Sequence, residues 1–253
     1  MEKQVRYAIY LAPDAESPVG RFGNTWLGFD PATGEDLPRP KISGITASQI
    51  TEVAAAPSRY GFHGTLKPPF SLSKGRAIDE LENAVRSLAA RFRAFEIAKI
   101  QINRIGDFLA LMPRKPDLLV EQLASVCVRE LDQFRAPLDD VALAHRRQAG
   151  LSDRQDRLLR RWGYPYVLDE FQFHLTLTGK LKNDESKNFQ KTLQKEVSCF
   201  VDVPLPVRDI ALFRDPGDGG RFRLLKRYPL GCAPITSRKR ATLASSGPLL
   251  SIR

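Results

Sequence analysis

The apolar positions of the chain change period several times, and each change marks an element. Val5–Leu11 alternates and is rich in β-formers, which predicts a strand that stops before Pro13. From Asp14 to Ser58 the pattern is broken by Pro18, Gly20, Gly23, Gly28, Pro31, Gly34, Pro38 and Pro40. A loop is expected there, with one helix inside it over Gly44–Ala56, opened by Thr46 or Ser48. Trp26 and Phe29 read as packing anchors of that loop. Phe62–Leu66 is a second strand, ended by Lys67-Pro68-Pro69 because proline has no amide proton to give a ladder. Ile78, Leu81, Val85, Leu88 and Phe92 then recur at helical spacing. Strands at Phe95–Ile105 and Phe108–Met112 flank Gly106-Asp107, a two-residue hairpin loop with Gly first. A further helix covers Asp117–Phe134, with Leu118, Gln122, Val126, Cys127 and Leu131 expected inside.

The second half replays the scheme. Phe171–Leu177 is a strand, Glu185–Val197 a helix, and Val207–Phe213 and Arg221–Arg227 two strands around the turn Asp215–Gly220. Strand, helix and hairpin therefore recur at nearly constant length, as in an internal duplication. The predicted fold class is α+β: a bilobal molecule in which two antiparallel sheets with outer helices face a central cleft. The lobes, 1–134 and 166–230, form one domain over residues 1–230, with a basic helical joiner at 135–165. Ser152-x-x-Gln155 is a capping box for a joiner helix over Asp153–Arg161. Arg146, Arg147, Arg154, Arg157, Arg160 and Arg161 make the joiner suited either to a solvated helix face or to phosphate and nucleic-acid contact. Residues 231–253 lack apolar periodicity and read as a flexible basic tail.

Composition adds three constraints. Hydrophobic residues at 42% and charged residues at 27% exclude a disordered chain. The excess of 39 Lys+Arg over 29 Asp+Glu, net +10, favours an anionic partner: nucleic acid, nucleotide or sugar phosphate. Cys127, Cys199 and Cys232 are odd in number and lack Cys-x-x-Cys spacing, so neither a zinc site nor a disulfide framework is expected, and the compartment is read as reducing cytoplasm. No run reaches the roughly 18 apolar residues of a membrane span, and the N-terminal apolar run is too short for a secretory signal. A soluble protein without membrane contact is expected.

The candidate chemistry lies in two stretches that repeat one another, Arg59–Lys67 and Glu170–Thr178, each containing Phe-His-x-Thr-Leu. A strand sends alternate side chains to one face, so His63 shares a face with Thr65, and His174 with Thr176. Two imidazoles and two hydroxyls suit cleavage of a phosphodiester. Such a reaction needs a base for water, an acid for the leaving oxygen and donors for the nonbridging oxygens. Arg59, Tyr60, Lys67, Tyr164 and Tyr166 flank the motif strands as candidates for contact with phosphate, sugar or base. His145 has no motif around it and reads as structural; Asp139, Asp140, Asp215 and Asp218 stand without ligand-spaced companions, so turn and capping roles fit them better than a metal.

The paired motifs resemble the signature of the 2H phosphoesterase superfamily, which includes bacterial RNA 2′,5′-ligase-like proteins and cyclic phosphodiesterases. The longer strings Arg59-Tyr60-Gly61-Phe62-His63-Gly64-Thr65-Leu66-Lys67-Pro68-Pro69-Phe70, Arg161-Trp162-Gly163-Tyr164-Pro165-Tyr166 and Phe173-His174-Leu175-Thr176-Leu177-Thr178-Gly179 are more narrowly similar to its DUF1045 branch, associated with phosphonate metabolism. The resemblance spans about Val5 to Leu230. It implies an RNA-ligase-like bilobal fold and no metal or other cofactor. It also implies His63 and His174 as the acid–base pair, Thr65 and Thr176 holding phosphate, and a ribosyl or nucleotide cyclic phosphate as substrate. Two alternatives stand beside it: processing of RNA ends with 2′,3′-cyclic phosphate or 2′,5′ linkages, and capture of a phosphorylated metabolite without turnover.

Overall fold

A computed structural model of the chain describes residues 4–148 and 150–231, the side chains of Asn183 and Asp184 excepted. The predicted tail, apart from Gly231, lies outside the described residues, as does Cys232. In chain order the elements are β1 (Arg6–Leu11), α1 (Pro18–Leu27), α2 (Ala47–Ser58), β2 (Gly64–Phe70), α3 (Ile78–Ala89), β3 (Phe95–Ile97), β4 (Ile100–Ile105) and β5 (Phe108–Pro113). There follow α4 (Leu118–Glu130), a 3₁₀ turn (Leu131–Phe134), α5 (Asp140–Arg147), α6 (Asp153–Trp162), β6 (Leu175–Thr176), α7 (Asn183–Glu196), β7 (Leu205–Val207), β8 (Asp209–Asp215) and β9 (Arg223–Pro229). Among the described residues no helix is long and apolar enough to cross a membrane.

The fold is α+β and its strand pairings are antiparallel, as expected. The arrangement differs from two sheets built by consecutive halves. One seven-stranded sheet runs β4-β5-β6-β2-β1-β8-β9, and β3 pairs with β7 in a separate two-stranded sheet. The hairpin of the first half, β4–β5, lies against β6 of the second half; the hairpin of the second half, β8–β9, lies against β1 of the first. The expected lobe bounds therefore do not divide the sheet, because each segment covers its strand edges with the other segment's hairpin. Where the two groups of strands meet, β2 and β6 share the residue pair Gly64 and Leu175.

One face of the sheet is apolar. Ile9, Leu11, Leu66, Leu109, Leu111, Leu175, Leu177, Ile210 and Leu212 join Leu81, Val85 and Leu88 of α3 and Leu193 of α7 in one buried cluster. In α4 the buried positions are Val120, Leu123, Ala124, Cys127 and Val128, with Leu131 following. The phase read through Leu118 and Gln122 is one face off, and Leu118 is 77% exposed.

Three more local readings change. The stretch 18–27 is a helix: Ser17 caps it, Pro18 takes its first turn, where no amide is required, and Gly28 ends it at φ 67°. Its glycines are contact positions. A Cβ on Gly23 would stand 2.0 Å from the Phe62 ring, so only glycine lets α1 press against the residue before His63. Strand β2 continues through Pro68 and Pro69, because the register shift between Lys67 and Phe70 pairs neither proline with β1 and so asks neither for an amide proton. Phe171–Leu177 forms a ladder only at Leu175–Thr176, and α5 occupies part of the joiner with Asp139 as its cap.

Candidate active site

The sheet's other face carries the two motifs. With Gly64 opposite Leu175, the antiparallel register sets His63 across from Thr176 and Thr65 across from His174. Burial alternates alike in both: Phe62, Gly64 and Leu66 are buried while His63 and Thr65 are partly open, and Phe173, Leu175 and Leu177 are buried while His174 and Thr176 are partly open. Gly64 makes this crossing tight. A Cβ there would lie 2.3 Å from the Phe173 ring, which fills the space under the first motif. Trp26 of α1, fully buried, donates Nε1–H to the carbonyl of Leu177 at 2.7 Å and fixes the end of the second motif.

Both imidazoles are oriented in the same way. Nδ1 of His63 lies 2.9 Å from the carbonyl of Gly61, and Nδ1 of His174 lies 2.7 Å from that of Gln172. A carbonyl only accepts, so each Nδ1 carries the proton and each neutral ring keeps an acceptor at Nε2. In His63 that acceptor meets the Thr65 hydroxyl at 3.1 Å. Tyr10 of β1 stacks on His63, ring centroids 3.6 Å apart at 18°, and Phe108 stands 5.6 Å from the ring of His174. Burial pushes the His63 imidazolium down to about 4 against the pull of the Gly61 carbonyl, and the charge of His174 lowers it further. Burial also lowers His174, opposed by the Gln172 carbonyl. Both rings are therefore neutral near pH 7 in the free protein.

His63, Thr65, His174 and Thr176 line one cavity of about 610 Å³, together with Tyr60 and Tyr164 from the sequence candidates. Tyr166 lies in an adjoining cavity of about 440 Å³, which shares Thr65, Phe108, Tyr164 and His174 with the first. Two candidates stand elsewhere. Lys67 is 2% exposed, donates to the carbonyl of Val128 at 3.2 Å and lies 3.5 Å from Asp132; burial pushes its pKa down to about 8, against the charge of Asp132. A bulge after Thr65 sets Lys67 opposite Ile9, on the apolar face beneath α4 and the following turn, so it ties β2 to that helix rather than contacting a ligand. Arg59 reaches Asp215 at 3.5 Å and borders a separate depression with Arg39 and Arg221.

Sequence reasoning missed Arg6, Tyr10, Phe108 and Lys180 as cavity residues and did not single out Arg146 from its basic neighbours. Of the joiner's cations, Arg147 and Arg160 engage Asp156, Arg154 engages Asp169 and Arg161 lies near Asp132, while Arg146 turns to the cavity. Asp139 caps α5, and Asp218 accepts from the amide of Gly220, as their turn and capping readings require. Burial raises Asp215, but the Arg6 hydrogen bond, the Gly217 amide and the charges of Arg6 and Arg59 outweigh it, and its carboxyl stays below the usual range. His145 is exposed on α5. Among the described residues no group of three or more His, Cys, Asp and Glu stands together as a metal site would.

A family model described as "Protein of unknown function (DUF1045)" matches residues 65–223. Two curated relatives carry the name ribose 1,5-bisphosphate phosphokinase PhnN. That of Janthinobacterium sp. (strain Marseille) is 35% identical over 97% of this chain and 54% of its own length; that of Laribacter hongkongensis (strain HLHK9) is 36% identical over 94% and 55%. The chain thus spans about half the length of the curated relatives it matches. Among solved structures, E. coli LigT complexed with 3′-AMP is similar at 15% identity and a TM-score of 0.39, over 90% of this chain and 98% of that one. A structure described as a phosphoesterase has 16% identity and a TM-score of 0.38, over 90% and 99%. Scores this low transfer neither ligand nor activity.

Proposed function

The chain belongs to the DUF1045 family, and from that premise we propose that it is a phosphodiesterase that opens a cyclic phosphate on a ribosyl substrate by two-histidine acid–base catalysis. The observation that supports this reading is the crossing of β2 and β6, with two imidazoles, each held through Nδ1, and two threonines lining one cavity. In the reaction one neutral imidazole accepts a proton at Nε2 from water as its oxygen attacks phosphorus. The other, protonated at Nε2, gives its proton to the ribose oxygen as the P–O ring bond breaks. Thr65 and Thr176 donate to the nonbridging oxygens. The low proton affinity of both rings in the free protein is corrected by the substrate, whose negative phosphate favours the charged form of an adjacent ring.

The sugar is argued from the curated relatives, which are named for a ribose carrying two phosphates. Their kinase activity is not carried over, since this chain has no G-x-x-x-x-G-K-[ST] stretch to cradle a nucleotide's phosphates. An RNA end is the weaker alternative, because most of the joiner's arginines are engaged with carboxylates. The test is phosphorus NMR of chelator-treated protein with ribose 1,2-cyclic phosphate, 2′,3′-cyclic nucleotides and short 2′,5′-linked RNA. Turnover of the first, resistant to chelator and lost in both His63→Asn and His174→Asn, is expected. Absence of turnover on all three would leave a binding protein.

A further inference from the structure

The two cavities that meet at the histidines differ in charge. The smaller is lined by Glu170 and Asp107 with aromatic rings and Gln155, and by no lysine or arginine. The larger holds Arg6, Arg146 and Lys180 against the single carboxylate of Asp107. Two of these cations are already neutralised. Arg6 binds Asp215 through Nε at 3.1 Å and Nη2 at 2.6 Å, and Lys180 lies 3.5 Å from Asp107. Arg146 is different.

Its Nη1 donates to the carbonyl of Gly163, the cap of α6, and its guanidinium lies 5.9 Å from the centre of the Tyr164 ring. Among the described residues no carboxylate pairs with it. The carbonyl and the ring aim the guanidinium but leave its charge uncancelled in a half-buried position. A cation so placed is costly unless an anion visits it. Arginine is also the side chain best shaped to hold a phosphate through two parallel N–H bonds.

We propose that the larger cavity is a two-anion site, in which Arg146 binds a second phosphate ester on the same sugar whose cyclic phosphate sits between His63 and His174. The inference rests on the phosphodiesterase reading for the cyclic group and adds the specificity for a doubly phosphorylated substrate. Tyr60 and Tyr164, which also line this cavity, flank the sugar between the two anions.

Two measurements test it. The first compares kcat/KM for ribose 1,2-cyclic phosphate with and without a 5-phosphate. The parent protein should prefer the doubly phosphorylated form by about 30-fold, the worth of a charge-assisted pair, and Arg146→Gln should bring that ratio near one. Equal use of both by the parent, or a preference that survives Arg146→Gln, overturns the subsite while leaving the phosphodiesterase reading intact; turnover of neither sinks the phosphodiesterase reading instead. The second needs no turnover: calorimetric titration with ribose 5-phosphate in the His63→Asn/His174→Asn background. Binding there should weaken about 30-fold on adding Arg146→Gln and recover in part with Arg146→Lys. Identical affinity in all three overturns the subsite whatever the chemistry at the histidines.

Discussion

Folding removes a proton-binding site at His63, and the loss should be measurable as a slope of stability against pH. The ring's pKa falls from the ordinary 6.5 of an exposed histidine to about 4. Between those values the unfolded chain binds a proton that the folded chain refuses, so stability is fully present above pH 6.5 and is lost as pH falls toward 4. Integrating one group between pH 7 and pH 5 gives a loss of about 2 kcal/mol. That figure is a ceiling, because one edge of the ring opens to the cavity. The assay is urea denaturation of the parent and of His63→Gln at both pH values, comparing differences rather than levels, so that every other titrating group cancels. The variant should lack most of the 2 kcal/mol slope. Equal slopes in the two proteins would mean that the ring is not held neutral by the fold, and the account of its burial beneath Tyr10 would be wrong.

Three further outcomes follow from the same geometry. Gly64→Ala places a methyl carbon 2.3 Å from the Phe173 ring; overpacking should cost about 1–3 kcal/mol, read as a lowered urea midpoint, and turnover should fall because the two motif strands are pushed apart. Trp26→Phe leaves the Leu177 carbonyl without its 2.7 Å donor and should cost about 1–3 kcal/mol, read by thermal melting, with no loss if that carbonyl finds another donor. Inorganic phosphate should bind with uptake of a proton at pH 7, because an anion beside the depressed histidines raises them. Calorimetry in two buffers of different ionisation enthalpy measures that uptake, and heats that do not depend on the buffer would contradict it.

What the sequence revealed of the candidate site was which side chains share a face of each motif strand, and what it concealed was their surroundings. Alternation correctly set His63 with Thr65 and His174 with Thr176, because a period of two is a property of one strand. Lys67 flanks the motif in sequence, but a bulge after Thr65 turns it to the apolar face, where α4 and the turn after it cover it through Val128 and Asp132, far along the chain. Tyr10 read as one more β-former, since nothing in Val5–Leu11 says that β1 pairs with β2 and lays its ring on His63. Arg146 looked like its basic neighbours until the carboxylates partnering them were located. The missed helix α1 has a similar cause: Gly20 and Gly23 were breakers by propensity, yet the space their side chains would need is taken by Asp14 and Phe62. The exchange of hairpins between halves was illegible for the same reason, because antiparallel pairing partners are chosen by edges and not by order.

That exchange has a consequence for how such a molecule can be taken apart. A cut in the joiner would leave the N-terminal piece with an uncovered edge on β1, and the C-terminal piece with β6 stripped of both neighbours and β8–β9 without a strand to lean on. Neither piece is a smaller copy of the whole. Each carries one motif histidine and the hairpin that the other lacks, so the fragments are complements.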